Sequence, residues 1–97
     1  MSEKQFDCAA MSLKALSHPL RLKILCTLSY ESLSVRDLAD RVGSTQSNVS
    51  HHLSGLRDKG MLVSTKEAKK VYYRLSDDRM LGMIEMLHEV FCDKVNN

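Results

Sequence analysis

No stretch of the 97 residues is apolar for anything near the roughly 20 positions that cross a bilayer. The opening segment MSEKQFDCAAM is charged and has none of the long apolar run of a secretory leader. These two absences predict a cytoplasmic protein with no membrane partner. Cysteine is scarce: three residues, an odd number without framework spacing, which argues against a secreted disulfide scaffold. There is no Cys-x-x-Cys, no glycine-rich cofactor loop and no nucleophile–base motif, so nothing points to an enzyme or to a bound cofactor. Four glycines and one proline leave no linker, repeat or low-complexity tract. The length fits one domain over residues 1–97. A chain this short buries a limited core and often shares a face with a second copy.

Charge of one sign is also missing overall, but the net +2 hides an uneven distribution. Residues 1–35 sum to +1, residues 36–75 to +4 and residues 76–97 to −3. The middle of the chain is the part that attracts a polyanion.

The single proline marks a helix start, because a proline in the first turn loses only an N–H that has no partner there. A helix therefore runs from about Pro19 to Ser29, with Leu20, Ile24, Leu25 and Leu28 as its apolar stripe. Before it, Phe6, Ala9, Ala10, Leu13 and Leu16 form a weaker helical stripe. Ser34 followed by Asp37 reads as a near capping box for a short helix carrying Leu38, Ala39 and Val42, and Gly43 ends it. Thr45, or Ser44, caps the next helix, whose inward face is Val49, Leu53 and Leu56 and whose stop is Gly60. MLVSTK and VYYRLS, separated by EAKK, read as a β-hairpin. The segment DDRMLGMIEMLHEVFCDKV is a last helix, with Asp77 and Asp78 at its positive end. Its apolar residues, from Met80 to Phe91, cover nearly the whole circumference, which calls for two partners: the chain's own core and a second chain. The fold class is mostly α with a small β-hairpin, about five helices plus a two-stranded wing.

A short helix, a tight turn and a second helix with a polar face form a helix-turn-helix, whose second helix enters the major groove. Its leading residues here are Thr45, Gln46, Ser47, Asn48, Ser50 and His51. Gln and Asn make bidentate bonds to adenine, and Ser bonds base edges or phosphate. Lys66, Lys69 and Lys70 at the hairpin tip add phosphate contacts. The plain alternative is a capped, solvated helix start; the basic hairpin in a +4 segment argues against it. His51 and His52 are adjacent and face different ways, so DNA contact or packing suits them better than joint metal binding.

The chain resembles the ArsR–SmtB family of small bacterial winged-helix repressors. The stretches that carry the resemblance are ALSHPLRLKIL from Ala15, LSVRDLA from Leu33, SNVSHHLSGLRDKG from Ser47 and VYYRL from Val71. It implies a homodimer built on the first and last helices, binding double-stranded promoter DNA and releasing it when an inducer binds. The family's arsenic and cadmium site is absent, since Ser32 and Ser34 stand where its cysteine pair lies. Of the zinc and cobalt ligands on the last helix, only Asp77 and His88 match, too few for a tetrahedral site. Cys26 and Cys92 match the sulfide- and redox-responsive subgroup of HlyU-, BigR- and SqrR-like regulators. The resemblance implies that oxidised sulfur joins these two as a disulfide or polysulfide bridge.

That chemistry needs a thiolate, and burial of Cys26 opposes one. Arg21, Lys23 and His88 are the candidates to favour it. Four other readings stay open. Both cysteines are ordinary packing residues; His88 and Cys92, at i and i+4, share a metal with Cys8 or Cys26; or the chain is a thiol-redox enzyme or a dimeric module without DNA binding. Cys8 has no matched partner.

Overall fold

The computed structural model describes residues 1–93. The Lys94 and Val95 that extend the expected last helix lie outside them.

Helix α1, Glu3–Leu16, begins with a full capping box: Gln5 N–H donates to Ser2 Oγ, and Ser2 N–H donates to Gln5 Oε1. Of the expected stripe on α1, Leu16 alone reaches the core. Only Ala15 and Leu16 are buried, while Phe6 and Leu13 are more than half exposed. Helix α2, Pro19–Leu28, starts at the proline as expected and buries Ile24, Leu25 and Leu28. Helix α3, Val35–Val42, is held at its start by Asp37 N–H donating to Ser34 Oγ, and it ends at Gly43, whose φ of 71° suits glycine. After three residues of turn, Thr45 Oγ1 accepts the Asn48 N–H and opens α4, Gln46–Asp58.

Strands β1, Leu62–Glu67, and β2, Lys70–Leu75, pair antiparallel from Leu62↔Leu75 out to Glu67↔Lys70. The hairpin strands have their expected six residues each but sit one residue nearer the tip. The ladder runs on to Glu67 and Lys70, because extending it pairs backbone groups that otherwise need water. Only Ala68 and Lys69 remain as the turn, with Ala68 at a φ of 55°. Two-residue turns of this kind match the twist of the strands. Leu33 and Tyr73 exchange both backbone hydrogen bonds, which fastens the base of the wing to the segment before α3.

Helix α5, Arg79–Leu87, continues into one π-helical turn over His88–Cys92. Asp77 accepts from Arg79 N–H, Nε and Nη2, and these bonds pull its carboxyl pKa down to about 2. The core gathers Leu16, Ile24, Leu25, Leu28, Leu38, Val49, Leu53, Leu56, Leu62 and Leu75, and it contains no buried polar side chain among the described residues. Nothing on α5 is buried; Met80 and Ile84 lean on the core, while Met86, Val90 and Phe91 are exposed. Both terminal helices therefore turn large apolar side chains outward.

Candidate nucleic-acid interface and thiol pair

The inward positions on α4 are fixed by its core contacts: Val49 and Leu56 are fully buried and Leu53 almost so. The helical period then places Gln46, Ser47, Asn48, Ser50 and His51 outside, and all five are exposed. Gln46 and Ser50, and likewise Ser47 and His51, stand four residues apart, so the four share one patch. None of these four side chains makes a hydrogen bond among the described residues. Thr45 and Asn48 differ. The Thr45 oxygen is used as the cap, and Asn48 Nδ2 donates to Ser44 Oγ at 3.0 Å. Two of the six expected reading residues thus also shape the helix start.

The wing lies beyond α4 in the chain, with Lys66, Lys69 and Lys70 all exposed. Their surroundings are unequal. Lys70 stands opposite Glu67 and lines a cleft with Asp37 and Asp40 of α3. Lys66 faces Val71, and Lys69 sits in the turn itself.

His52, the neighbour of the reading patch, is turned inward. Its Nδ1 accepts from Arg21 Nε at 3.0 Å, and burial lowers its pKa, with Arg21, His51 and His18 acting the same way. Arg21 is therefore committed to α4 and does not serve the Cys26 thiol. The sequence offered no signal for this pairing, since the two residues are 31 positions apart.

Cys26 is partly buried in a cleft between α2 and α5 that is lined by Tyr30, Leu81, Ile84, Glu85, His88 and Glu89. Burial pushes its thiol pKa up, and the Glu85 carboxylate pushes it further. Glu85 escaped the sequence reading because only the packing of α5 on α2 brings it there. Of the three groups expected to favour a thiolate, His88 alone lines this cleft. Cys92, four residues after His88, is exposed in the π-helical turn. Cys8 is exposed on α1, in a groove with Lys4, Asp7, Asp58 and Lys59. All three cysteines are free thiols. Among the described residues, no group of three or more His, Cys, Asp or Glu side chains is arranged to hold a metal ion. Nor is any helix there long and apolar enough to cross a membrane.

Comparison with known proteins connects this arrangement to a family. The sequence profile described as "Bacterial regulatory protein, arsR family" matches residues 18–64, the stretch from the start of α2 into the wing. The transcriptional activator HlyU of Vibrio cholerae is 42% identical over 90 residues, covering 93% of this chain and 83% of HlyU. The chain belongs to the arsR family. The biofilm growth-associated repressor of Agrobacterium fabrum is 37% identical over 95 residues, 98% of this chain and 81% of that protein. A solved structure described as reduced HlyU from Vibrio cholerae superposes with a TM-score of 0.80 at 42% identity, covering 93% of this chain and 95% of that one. Within this arsR-family fold, α3, the turn and α4 are the helix-turn-helix and β1–β2 is the wing. The protein is a DNA-binding transcriptional regulator, similar to HlyU and to the biofilm growth-associated repressor.

Proposed function

We propose that the chain is a homodimeric transcriptional repressor of the cytoplasm that leaves its operator when Cys26 and Cys92 are oxidised or bridged by reactive sulfur species. The observation that carries the sensing part is the Cys26 cleft: the thiol faces the helix that ends in Cys92, with His88 between them in sequence and inside the cleft. Its HlyU relative has been solved in a form described as reduced, which accords with this reading. The reading patch on α4 and the wing lysines supply the DNA contacts. Thr45, Gln46, Ser47, Asn48, Ser50 and His51 meet the groove, and Lys66, Lys69 and Lys70 meet phosphate. The outward apolar residues of α1 and α5, Phe6, Leu13, Met86 and Phe91 among them, supply the dimer face.

The chemistry balances with a polysulfide as oxidant. The Cys26 thiolate attacks a terminal sulfur of the polysulfide; the adjacent S–S bond breaks, Cys26 becomes a persulfide and the shorter chain leaves as a hydropolysulfide. The Cys92 thiolate then attacks the Cys26 sulfur, a disulfide forms and hydrosulfide leaves. Two thiols lose two protons to solvent, and the polysulfide gains two electrons. The raised pKa of Cys26 makes formation of its thiolate the demanding step, because the thiolate is the nucleophile. No turnover is required, so the protein acts as a switch and not as an enzyme.

Fluorescence anisotropy on duplex DNA from upstream of its own gene tests the proposal. Reduced protein should bind with an affinity that falls steeply with salt. Polysulfide should release the DNA from wild type and leave a Cys26→Ser variant bound. Release by zinc and not by polysulfide overturns the thiol switch in favour of a metal-responsive regulator using His88 and Cys92. The relatives carry opposite labels, activator and repressor, so a promoter assay with added protein decides the direction of control.

A further inference from the structure

Glycine inside a helix lowers its stability relative to alanine, so an interior glycine with ordinary helical φ calls for a reason. Gly55 is such a residue, three positions from the end of α4. A Cβ built there would come within 2.5 Å of Arg21 Nη2 and 3.1 Å of its Cζ. The space is taken by the Arg21 guanidinium.

That guanidinium has two further attachments. Nε donates to His52 Nδ1 at 3.0 Å, one helical turn before Gly55 on the same side of α4. Nη1 donates to the Ala15 carbonyl at 3.0 Å, in the last turn of α1. Carbonyls there have no partner within their own helix. A single planar side chain on α2 thus caps α1 and grips α4 at two adjacent points. Lysine cannot reproduce this, because its ammonium has no rigid fork.

We infer that Arg21 is a positioning residue for DNA recognition: with His52 and Gly55 it sets the angle of the reading helix α4 against α1. The inference rests on the proposed dimer and its DNA contacts. Helix α1 carries the outward Phe6 and Leu13, and α4 carries Gln46, Ser47, Ser50 and His51. The angle between these helices therefore fixes the distance between the two reading helices of a dimer, and so the half-site spacing that fits. Arg21 touches no base in this arrangement; it acts through α4.

The test compares wild type, Arg21→Lys, Gly55→Ala and the double variant. Each is titrated with a duplex selected by wild type from a random library, with that duplex carrying one base pair inserted at its centre, and with random-sequence duplex. Wild type should discriminate against the insertion. Each single variant should lose that discrimination by roughly tenfold, the scale of a hydrogen bond to a charged group. Affinity for random-sequence duplex should stay unchanged. The double variant should be no worse than either single, because both changes break one clamp. Gly55→Ala should keep its Tm close to wild type, since the helix propensity of alanine offsets the hydrogen bonds lost; loss of discrimination in a protein that stays folded separates positioning from folding. Without DNA, the nitrogen NMR signal of His52 Nδ1 should report a hydrogen-bonded acceptor in wild type and a change in Gly55→Ala. Wild-type spacing preference in Gly55→Ala, or additive losses in the double variant, overturns the inference. If wild type selects no duplex, the DNA reading itself falls and the positioning role with it, while an intact His52 signal shows that the clamp exists.

Discussion

Replacing Lys69 by alanine tests the wing as a phosphate contact, and the structure sets the size of the effect. Lys69 lies in the two-residue turn, exposed, and makes no ion pair among the described residues. Lys70 stands opposite Glu67 and beside Asp37 and Asp40, so its charge is locally offset. Each neutralised phosphate contributes about 0.9 to the slope of log affinity against log salt. A dimer carries two copies, so Lys69→Ala should flatten the slope by about 1.8. Between about 50 and 200 mM salt, wild type should then lose roughly tenfold more affinity than the variant. Lys70→Ala should flatten it much less. Anisotropy titrations at several salt concentrations, on both a selected and a random-sequence duplex, give the slopes. The flattening must be the same on both duplexes, since phosphate contacts carry no sequence information. An unchanged slope, or one that changes on the selected duplex alone, refutes the placement of the wing on the backbone.

Other positions answer separate questions. Gln46→Ala should weaken binding to the selected duplex by about 1–3 kcal/mol and relax its sequence preference while keeping the salt slope; selection with the variant checks this, and an unaltered preference means α4 reads with other residues. Leu53→Ala empties a nearly fully buried site and should lower unfolding stability by about 2–5 kcal/mol, seen as a lower urea midpoint without a change in m. The pKa of His52 is depressed below the ordinary 6.5, so the unfolded chain binds its proton first as pH falls. Its contribution is therefore intact above 6.5 and is lost as pH drops from there towards the folded-state pKa. Tm measured against pH should fall more steeply across that window in wild type than in His52→Asn, and parallel curves would contradict the neutral, hydrogen-bonded imidazole.

Much of the architecture is legible in the chain because it is written in local chemistry. Pro19, Ser34, Gly43, Thr45 and Gly60 act on the backbone within a turn of themselves, and each marks a boundary where expected. The period of Val49, Leu53 and Leu56 fixes the buried side of α4, and with it the exposed side that carries the reading patch. The wing and its strand lengths were recognisable, but not the one-residue shift of both strands towards the tip. A charged EAKK run looks like a loop, whereas the ladder extends into it because backbone pairing is indifferent to exposed side chains. On α1 the apolar spacing is real, but only Leu16 of that stripe is buried: periodicity shows that a face is apolar, not what covers it.

What the sequence determines by itself, then, is the order of elements, the helix-turn-helix, the wing and the outward polar face of α4, all consequences of residues within a few positions of one another. The tertiary structure alone decides the pairings that cross the chain. It packs α5 over Cys26, and that burial, with the Glu85 carboxylate, raises the thiol pKa; the same packing brings His88 into the cleft. It also takes Arg21 away from that thiol and lays it across Gly55 against His52. Such contacts depend on how helices distant in sequence lie against each other, and that geometry comes from the packing of the whole core, which no local pattern encodes.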